Sequence, residues 1–230
     1  MPLISHRGAA HLASANSKSA ILTGDDYSPA YIEIDINCTS DNVLVIHHGA
    51  VSRFLQGKKT KESYKELKEK FPGLLTWAEF LKIKTQSPFL FDIKVSGKDI
   101  LPAIIDGITR SQLTDFAFTS PHESALIAMK SAFPDSFILQ TQPYHHGPVS
   151  ALELARKNGF SGVMLNKWWL TPLIYNLCRL HKKQIGAYTI DSALVMWHAQ
   201  RLYPGLYIVT NRPDIYRKLF PLTESTKQNR

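Results

Sequence analysis

The chain has 230 residues, of which 44% are apolar and 20% charged, with 12 glycines and 13 prolines. This composition excludes disordered, collagen-like and disulfide-scaffold proteins, and the length suits one large domain or two small ones. The 27 basic and 19 acidic side chains give a net charge of +8, which favours anionic partners such as phosphates or acidic membranes.

The basic residues do not indicate a nucleic-acid-binding protein. They are scattered, as at Lys58, Lys59 and Lys61, and lack the interleaved aromatic side chains on which bases stack. No apolar run is long enough for a transmembrane helix, and the first residues do not resemble a signal peptide. We therefore expect a cytoplasmic protein whose contact with a membrane, if any, is peripheral.

Short runs of β-forming residues alternate with longer helical segments along the chain. This order predicts a parallel sheet, and eight parallel strands can close into a barrel. The third predicted strand follows the second after only five residues, too few for a parallel crossover. We therefore expect a hairpin through Ser40-Asp41-Asn42 and a TIM (β/α)8 barrel of the other eight strands. The predicted strands are 3–5, 31–37, 43–46, 89–93, 116–119, 137–140, 162–165, 185–190 and 206–209.

Capping residues predict where several helices begin. Ser120 before Pro121 and Thr171 before Pro172 each offer a hydroxyl to unpaired backbone N–H groups. Asp191 is predicted to cap the helix over 192–201 in the same way. No linker or internal repeat divides the chain, so we expect one domain over residues 1–230, with a polar tail that frays after about residue 222.

The first strand leads directly into His6-Arg7-Gly8. The carboxyl ends of barrel strands are where active sites are built. An imidazole can carry a proton near neutral pH, and a guanidinium matches phosphate oxygens. Gly8 permits a tight turn or a close approach of substrate.

The second strand carries Glu33 and Asp35. Alternation along a strand places both carboxylates on one face and Ile32, Ile34 and Ile36 on the other. Such a pair fits either an ordinary salt bridge or a hard divalent cation such as Mg²⁺ or Ca²⁺, which prefers oxygen ligands.

Two further strands end in pairs of polar side chains. His47 and His48 close the strand 43–46, and the predicted hairpin folds them back towards the carboxylates of the second strand. Asp92 and Lys94 share one face at the end of the strand 89–93. Charged clusters at the ends of successive strands predict an active site for acid–base chemistry with a metal or an anion.

These motifs resemble the glycerophosphodiester phosphodiesterase family, whose members read His-Arg-Gly, Glu-Asn-Thr, Glu-x-Asp, His-Asp and Glu-x-Lys in this order. His6-Arg7-Gly8 and the pair Glu33 and Asp35 match outright. The resemblance extends from about residue 3 to residue 220. It rests on the segments 6–8, 15–17, 33–35, 74–81, 92–94, 188–191 and 209–214.

The chain departs from the family motifs at several positions. Ala15 replaces the glutamate of Glu-Asn-Thr, and Asp92 replaces a glutamate with a side chain one methylene shorter. Asp191 stands where the family has Asn, and Asn211 where it has Asp. These departures affect the expected metal affinity and substrate choice. A catalytically degenerate barrel that only binds phosphodiesters is therefore an alternative.

The family's second catalytic histidine falls on either His48 or His47. Counting from Glu33 and Asp35 without a gap reaches His48, whereas counting back from Arg53 favours His47. We prefer His48, because the upstream match is longer and a His-Gly ending resembles the related phosphatidylinositol-specific phospholipases C.

The resemblance implies a phospholipase-C-like phosphodiesterase TIM barrel that hydrolyses glycerophosphodiesters to sn-glycerol 3-phosphate and an alcohol. The alternative enzyme is a phospholipase D- or C-like hydrolase of lysophospholipids or phosphatidylinositol at anionic membranes. By resemblance, the acid–base pair is His6 and His48, the substrate phosphate binds Arg7 and Lys94, and Mg²⁺ or Ca²⁺ binds Glu33, Asp35 and Asp92.

Trp168 and Trp169 follow the strand 162–165. They could contact a glycerol or acyl group of the substrate, or seal the top of the barrel. We favour core packing, because large aromatic side chains are usually buried.

Overall fold

A computed structural model describes residues 2–49, 59–97, 99–142 and 146–222, so the predicted tail after residue 222 lies outside the described residues. Within these ranges the chain forms ten strands. They are β1 (Leu3–Ser5), β2 (Tyr31–Cys38), β3 (Leu44–Ile46), β4 (Leu75–Thr76), β5 (Phe89–Ile93), β6 (Phe116–Ser120), β7 (Phe137–Thr141), β8 (Gly162–Asn166), β9 (Gln184–Tyr188) and β10 (Tyr207–Thr210).

Eight of these strands form a closed parallel barrel. The order around the barrel is β1-β10-β9-β8-β7-β6-β5-β2, and pairing of β1 with β2 closes it. The predicted TIM barrel is therefore confirmed. All eight carboxyl ends meet on one face, which brings together side chains that are far apart in the sequence.

The remaining two strands extend the sheet outside the barrel. β3 runs antiparallel to β2, with Cys38 opposite Leu44, which confirms the predicted hairpin. β4 pairs antiparallel with β3 and was not predicted from the sequence. A strand of two residues is too short to show the alternation from which strands are predicted.

Helices cover the outside of the barrel, and their starts agree only partly with the predicted caps. Thr171 accepts a hydrogen bond from the backbone N–H of Ile174, as predicted. Ser120 is not the N-cap, because it still belongs to β6 and His122 precedes α5; its hydroxyl accepts from the backbone N–H of His122 and donates to the carbonyl of Ile93. Asp191 is not a cap either, since Ser192 precedes the helix and other groups bind the carboxylate. The helices are α1 (Lys18–Asp25), α2 (Tyr64–Lys70), α3 (Trp77–Phe80), α4 (Ile100–Arg110), α5 (Glu123–Ala132), α6 (Pro148–Lys157), α7 (Pro172–Leu180), α8 (Ala193–Leu202) and α9 (Pro213–Leu219).

Two apolar layers hold the barrel together. Alternation in β2 places Ile32, Ile34 and Ile36 in the larger core between the sheet and the helices. A smaller cluster fills the barrel interior and consists of Ile4, Leu90, Ala117, Leu139, Met164 and Val209.

No helix among the described residues is both long and apolar enough to cross a bilayer.

Candidate active site

The turn after β1 brings the first site residues against β2. Arg7 and Gly8 both have left-handed backbone angles, with φ of 51° and 78°. Gly8 is required here, because a Cβ atom would lie 2.4 Å from the backbone carbonyl carbon of Ala20. The turn places the backbone N–H of Arg7 2.7 Å from Glu33 Oε2 and the Arg7 Nε 3.1 Å from Asp35 Oδ2.

Three carboxylates form a cluster at the carboxyl ends of β2 and β5. Asp35 and Asp92 are register partners on these neighbouring strands, and Glu33 lies two residues earlier on the same face. One carboxylate oxygen from each residue lies within 4.8 Å of the others. Glu33 and Asp35 are buried, and the side chain of Asp92 is 13% exposed.

Lys94 neutralises part of this cluster. Its Nζ lies 3.0 Å from Asp35 Oδ1 and also donates to Asp92 Oδ2. Although burial opposes it, attraction to Asp92 and Asp35 raises the pKa of Lys94 above its ordinary value. Burial alone would raise the pKa of the Asp35 carboxyl. The positive charges of Lys94 and Arg7 outweigh burial and hold this pKa well below its usual range.

The cluster fits a hard divalent cation. Burial, followed by repulsion from Asp35, raises the pKa of Glu33 well above its ordinary value, and a bound cation would offset both effects. Asp92 Oδ1 is buried and has no hydrogen-bond partner among the described residues. Oxygen ligands of this kind suit Mg²⁺ and Ca²⁺. The shorter side chain of Asp92 therefore still reaches the cluster, and these three residues could hold a divalent ion.

His6 lies beside the carboxylate cluster, and Asn211 holds its ring in place. Its Nδ1 is 2.7 Å from Asn211 Oδ1, and its Nε2 is 3.9 Å from Glu33 Oε2. Burial, together with the positive charge of Arg7, lowers the pKa of His6 to about 4. The ring is therefore neutral near pH 7 before a ligand binds.

The two neighbouring histidines after β3 have different surroundings. His48 lines the same cavity as His6, and burial lowers its pKa to about 4. His47 instead packs against Phe71, with ring centroids 4.8 Å apart, and its Nδ1 accepts a hydrogen bond from the backbone N–H of Gly49. Arg53, from which counting back favoured His47, lies outside the described residues.

A cavity of about 550 Å³ opens at the carboxyl ends of the strands. Arg7, Glu33, Asp92 and Lys94 form one part of its wall, and apolar side chains from the barrel interior form another. Polar residues at the ends of β6, β7 and β8 also line the cavity and were not predicted as site residues, although their position after apolar strands is the available signal. These residues are Thr119, Thr141, Gln142 and Asn166.

Residues 6–147 match the model of the glycerophosphoryl diester phosphodiesterase family. The chain belongs to this family. The match confirms the resemblance seen in the sequence and the expectation of a glycerophosphodiester phosphodiesterase. No curated protein sequence matches the chain significantly.

Solved structures share the fold of this family member over nearly the whole chain. A glycerophosphodiester phosphodiesterase from Parabacteroides distasonis is 21% identical, with a TM-score of 0.75, over 95% of this chain and 96% of that one. An Oleispira antarctica phosphodiesterase, solved in complex with the product sn-glycerol-3-phosphate, is 15% identical, with a TM-score of 0.80, over 96% and 97%. A Thermotoga maritima glycerophosphodiester phosphodiesterase is 17% identical, with a TM-score of 0.69, over 94% and 97%.

Asn16, which aligns with the Asn of the family's Glu-Asn-Thr motif, fixes one of the carboxylates. Its Nδ2 donates to Asp35 Oδ2 at 2.8 Å, and its Oδ1 accepts from the backbone N–H of Asp35 at 3.2 Å. The neighbouring Ala15 supplies no carboxylate, so this phosphodiesterase keeps the amide of the motif and lacks its acid.

The two tryptophans of this family member are not core residues. Trp168 is 80% exposed and Trp169 47% exposed, so the expectation of core packing is wrong. Asn166 ends β8 and accepts a hydrogen bond from the backbone N–H of Trp168, which starts a 3₁₀ turn over Lys167–Trp169. That turn carries both indoles to the mouth of the cavity, which they line.

Proposed function

We propose that this family member hydrolyses glycerophosphodiesters to sn-glycerol 3-phosphate and an alcohol, using a bound Mg²⁺ or Ca²⁺ and acid–base catalysis by two histidines. The observation that carries the proposal is that two carboxylates, two cationic side chains and two imidazoles line one cavity, and that the buried Asp35 completes a three-carboxylate cluster at its wall. The product complex of the Oleispira phosphodiesterase, which shares the fold, supports this substrate class.

Glu33, Asp35 and Asp92 would hold the metal ion. They offer only oxygen ligands, and burial of like charges makes a bound cation favourable. When bound, a divalent ion would act as a Lewis acid on a phosphate oxygen of the substrate.

Arg7 and Lys94 are the proposed phosphate-binding residues. Both line the cavity, and both are anchored by Asp35, which keeps their charges at the site. A guanidinium can donate two parallel hydrogen bonds to phosphate oxygens, and a largely buried ammonium acts as a point charge. Together they would stabilise the negative charge that grows on the phosphoryl group.

His6 and His48 are the proposed acid–base pair. They enter the same cavity from the ends of β1 and β3. One takes a proton from the attacking hydroxyl, and the other gives a proton to the departing alcohol oxygen. The attacking hydroxyl belongs to water or to the glycerol part of the substrate, and the second route passes through a cyclic phosphate that single-turnover samples would contain.

The test is the release of glycerol 3-phosphate from glycerophosphocholine and glycerophosphoethanolamine, with EDTA, Mg²⁺, Ca²⁺ or Mn²⁺ in parallel. We expect release that depends on the metal and stops in EDTA. Full turnover in excess EDTA would contradict the metal assignment. Binding of the diesters without hydrolysis in every metal would instead favour the degenerate, binding-only barrel.

An exposed apolar rim favours a second candidate, hydrolysis of lysophospholipids at an anionic membrane. The rim consists of Trp168, Trp169, Leu173 and Leu194, of which Trp168, Leu173 and Leu194 are 80%, 73% and 67% exposed. These residues follow β8 and β9, which are neighbours in the barrel, at the end where the cavity opens. Tryptophan favours the membrane interface, and the net charge of +8 favours anionic lipids.

Sedimentation with phosphatidylcholine vesicles, with and without phosphatidylglycerol, tests the second candidate. Leu173→Ser should weaken binding to the anionic vesicles. Leu180→Ser is the matched control, because Leu180 is 74% exposed at the opposite end of the same helix, α7. Equal binding by both variants would remove the support for a membrane-facing rim.

A further inference from the structure

A chain of hydrogen bonds connects the loops after β9 and β10 to His6. Asp191 Oδ1 accepts from the backbone N–H of Asn211 at 2.8 Å and from the hydroxyl of Thr210 at 2.9 Å. Asp191 Oδ2 accepts from Asn211 Nδ2 at 2.8 Å. On its other side, Asn211 Oδ1 lies 2.7 Å from His6 Nδ1. The Asp191 carboxylate, the Asn211 amide and the His6 imidazole are thus connected by consecutive hydrogen bonds.

The chemistry of these groups fixes where the hydrogens lie. The oxygens of Asp191 act as acceptors, so the NH₂ of Asn211 must face Asp191 and its carbonyl oxygen must face His6. A carbonyl oxygen only accepts, so His6 Nδ1 must carry the hydrogen of this bond. In a neutral imidazole the other nitrogen then has a free lone pair. That nitrogen, His6 Nε2, is the one that lies 3.9 Å from Glu33.

We propose that Asp191 is a positioning residue that acts through Asn211 to hold His6 in the tautomer with hydrogen on Nδ1, which makes His6 Nε2 the proton acceptor of the reaction. The tautomer follows from the hydrogen bonds alone, whereas the proton-acceptor role rests on the proposed hydrolysis. In that step the proton of the attacking O–H moves to His6 Nε2 while its oxygen bonds to phosphorus. The bond from phosphorus to the departing alcohol oxygen breaks, and that oxygen takes a proton from the imidazolium form of His48, which the negative charge of the bound phosphate favours.

The sequence departs from the family motifs at both members of this pair. Asp191 stands in place of Asn and Asn211 in place of Asp, so the carboxylate and the amide have exchanged positions. The structure shows that the two exchanged residues are bonded to each other. Exchanging both keeps one carboxylate and one amide in contact, whereas exchanging one alone would leave two carboxylates or two amides.

A purely structural role for Asp191 is the competing interpretation. Its bonds to Thr210 and Asn211 also tie two loops together, and their loss would lower stability in either case. Only a role in positioning His6 changes which ring nitrogen carries the hydrogen. The test therefore needs a measurement of the tautomer as well as of activity.

The experiment compares wild type, Asp191→Asn and the reciprocal double variant Asp191→Asn with Asn211→Asp. Long-range ¹H–¹⁵N correlation spectra of the metal-free protein identify the protonated nitrogen of His6, whose signal is assigned by its loss in His6→Gln. We expect hydrogen on Nδ1 in wild type and a mixture of tautomers in Asp191→Asn, because two amides can pair in either orientation. We expect kcat for diester hydrolysis to fall by at least about tenfold in Asp191→Asn, because loss of a carboxylate that holds a catalytic imidazole in its tautomer is costly.

The double variant should recover both the Nδ1–H tautomer and most of kcat, since a carboxylate at position 211 would again accept from His6. Asp214→Asn is the matched control, because Asp214 lies in the first turn of α9, three residues after Asn211, but pairs with Arg212. It should leave the tautomer and kcat unchanged.

Two results would overturn the proposal: a wild-type His6 with hydrogen on Nε2, or an Asp191→Asn variant with unchanged tautomer and kcat. The wild-type spectrum decides the tautomer even if Asp191→Asn does not fold. If wild type hydrolyses no diester, the proposed function fails, while the spectra still test the hydrogen-bond chain independently.

Discussion

Asp35 and Asp92 are register partners on two adjacent parallel strands, so their carboxylates point into the same small space at the end of the barrel. Water screens such a buried pair poorly, and the repulsion between two carboxylates is correspondingly strong. The ammonium of Lys94 contacts both carboxylates and offsets this repulsion. In the metal-free protein this lysine therefore does part of what a cation would do.

Replacing Lys94 by Met should destabilise the metal-free protein. It removes the positive charge shared by Asp35 and Asp92 and leaves Asp92 without its ion-pair partner, and loss of one partner of a buried pair typically costs about 3–5 kcal/mol. Urea unfolding in EDTA measures this loss. Lys157→Met is the control, because Lys157 pairs with Glu123 at an exposed position, where an ion pair contributes at most about 1 kcal/mol. Equal losses in the two variants would show that Lys94 does not stabilise the acidic cluster.

Replacing Asp92 by Asn should weaken metal binding. It removes one negative ligand from the cluster, and we expect the metal concentration for half-maximal activity to rise by at least about tenfold. Titration of activity with Mg²⁺ and Ca²⁺ measures the change, and calorimetry checks it without substrate. Asp106→Asn, at an exposed i,i+4 pair with Arg110, should have no effect. An unchanged requirement in Asp92→Asn would exclude Asp92 as a metal ligand.

Replacing His48 by Ala should lower kcat by at least about a hundredfold, the low end for loss of a proton-transfer group. Replacing His47 by Ala should cost much less, because His47 packs against Phe71 outside the cavity lining. The two variants control for each other, since they remove the same side chain from neighbouring positions. An inactive His47→Ala beside an active His48→Ala would reverse the assignment.

Replacing Gly8 by Ala should be costly for a steric reason that Gly159 does not share. Both glycines have positive φ, but a Cβ at Gly159 meets no atom within 4 Å, whereas one at Gly8 overlaps the backbone of Ala20. Gly159→Ala should cost about 1 kcal/mol, from left-handed strain alone. Gly8→Ala should cost roughly 3 kcal/mol, because the overlap adds to the strain. Thermal unfolding compares them, and similar values would show that the turn after β1 can adjust.

Much of the barrel could be predicted because its signals are local. The alternation in β2 predicts that Glu33 and Asp35 share a face, since a strand repeats every two residues. The short segment before β3 predicts a hairpin, because a parallel crossover needs a longer connection. Each of these conclusions depends on neighbours in the chain, so no knowledge of the rest of the fold is needed.

Other features depend on which distant segments meet. Asp191 carries a good capping side chain, but Thr210 and Asn211, about 20 residues later, offer better donors and bind its carboxylate. Trp168 has the large apolar side chain of a typical core residue, yet the turn that follows β8 places it in solvent. Local propensity cannot decide such cases, because the competing partner is absent from the local sequence.

The eight barrel strands, the hairpin after β2 and the residue types that the chemistry needs were predictable from the sequence, because periodicity, loop length and side-chain chemistry are properties of short segments. The folded chain was needed to show that His48 rather than His47 lines the cavity, that Lys94 contacts two carboxylates and that Asp191 reaches His6 through Asn211. These relationships join residues from different strands, and closure of the barrel is what sets their distances.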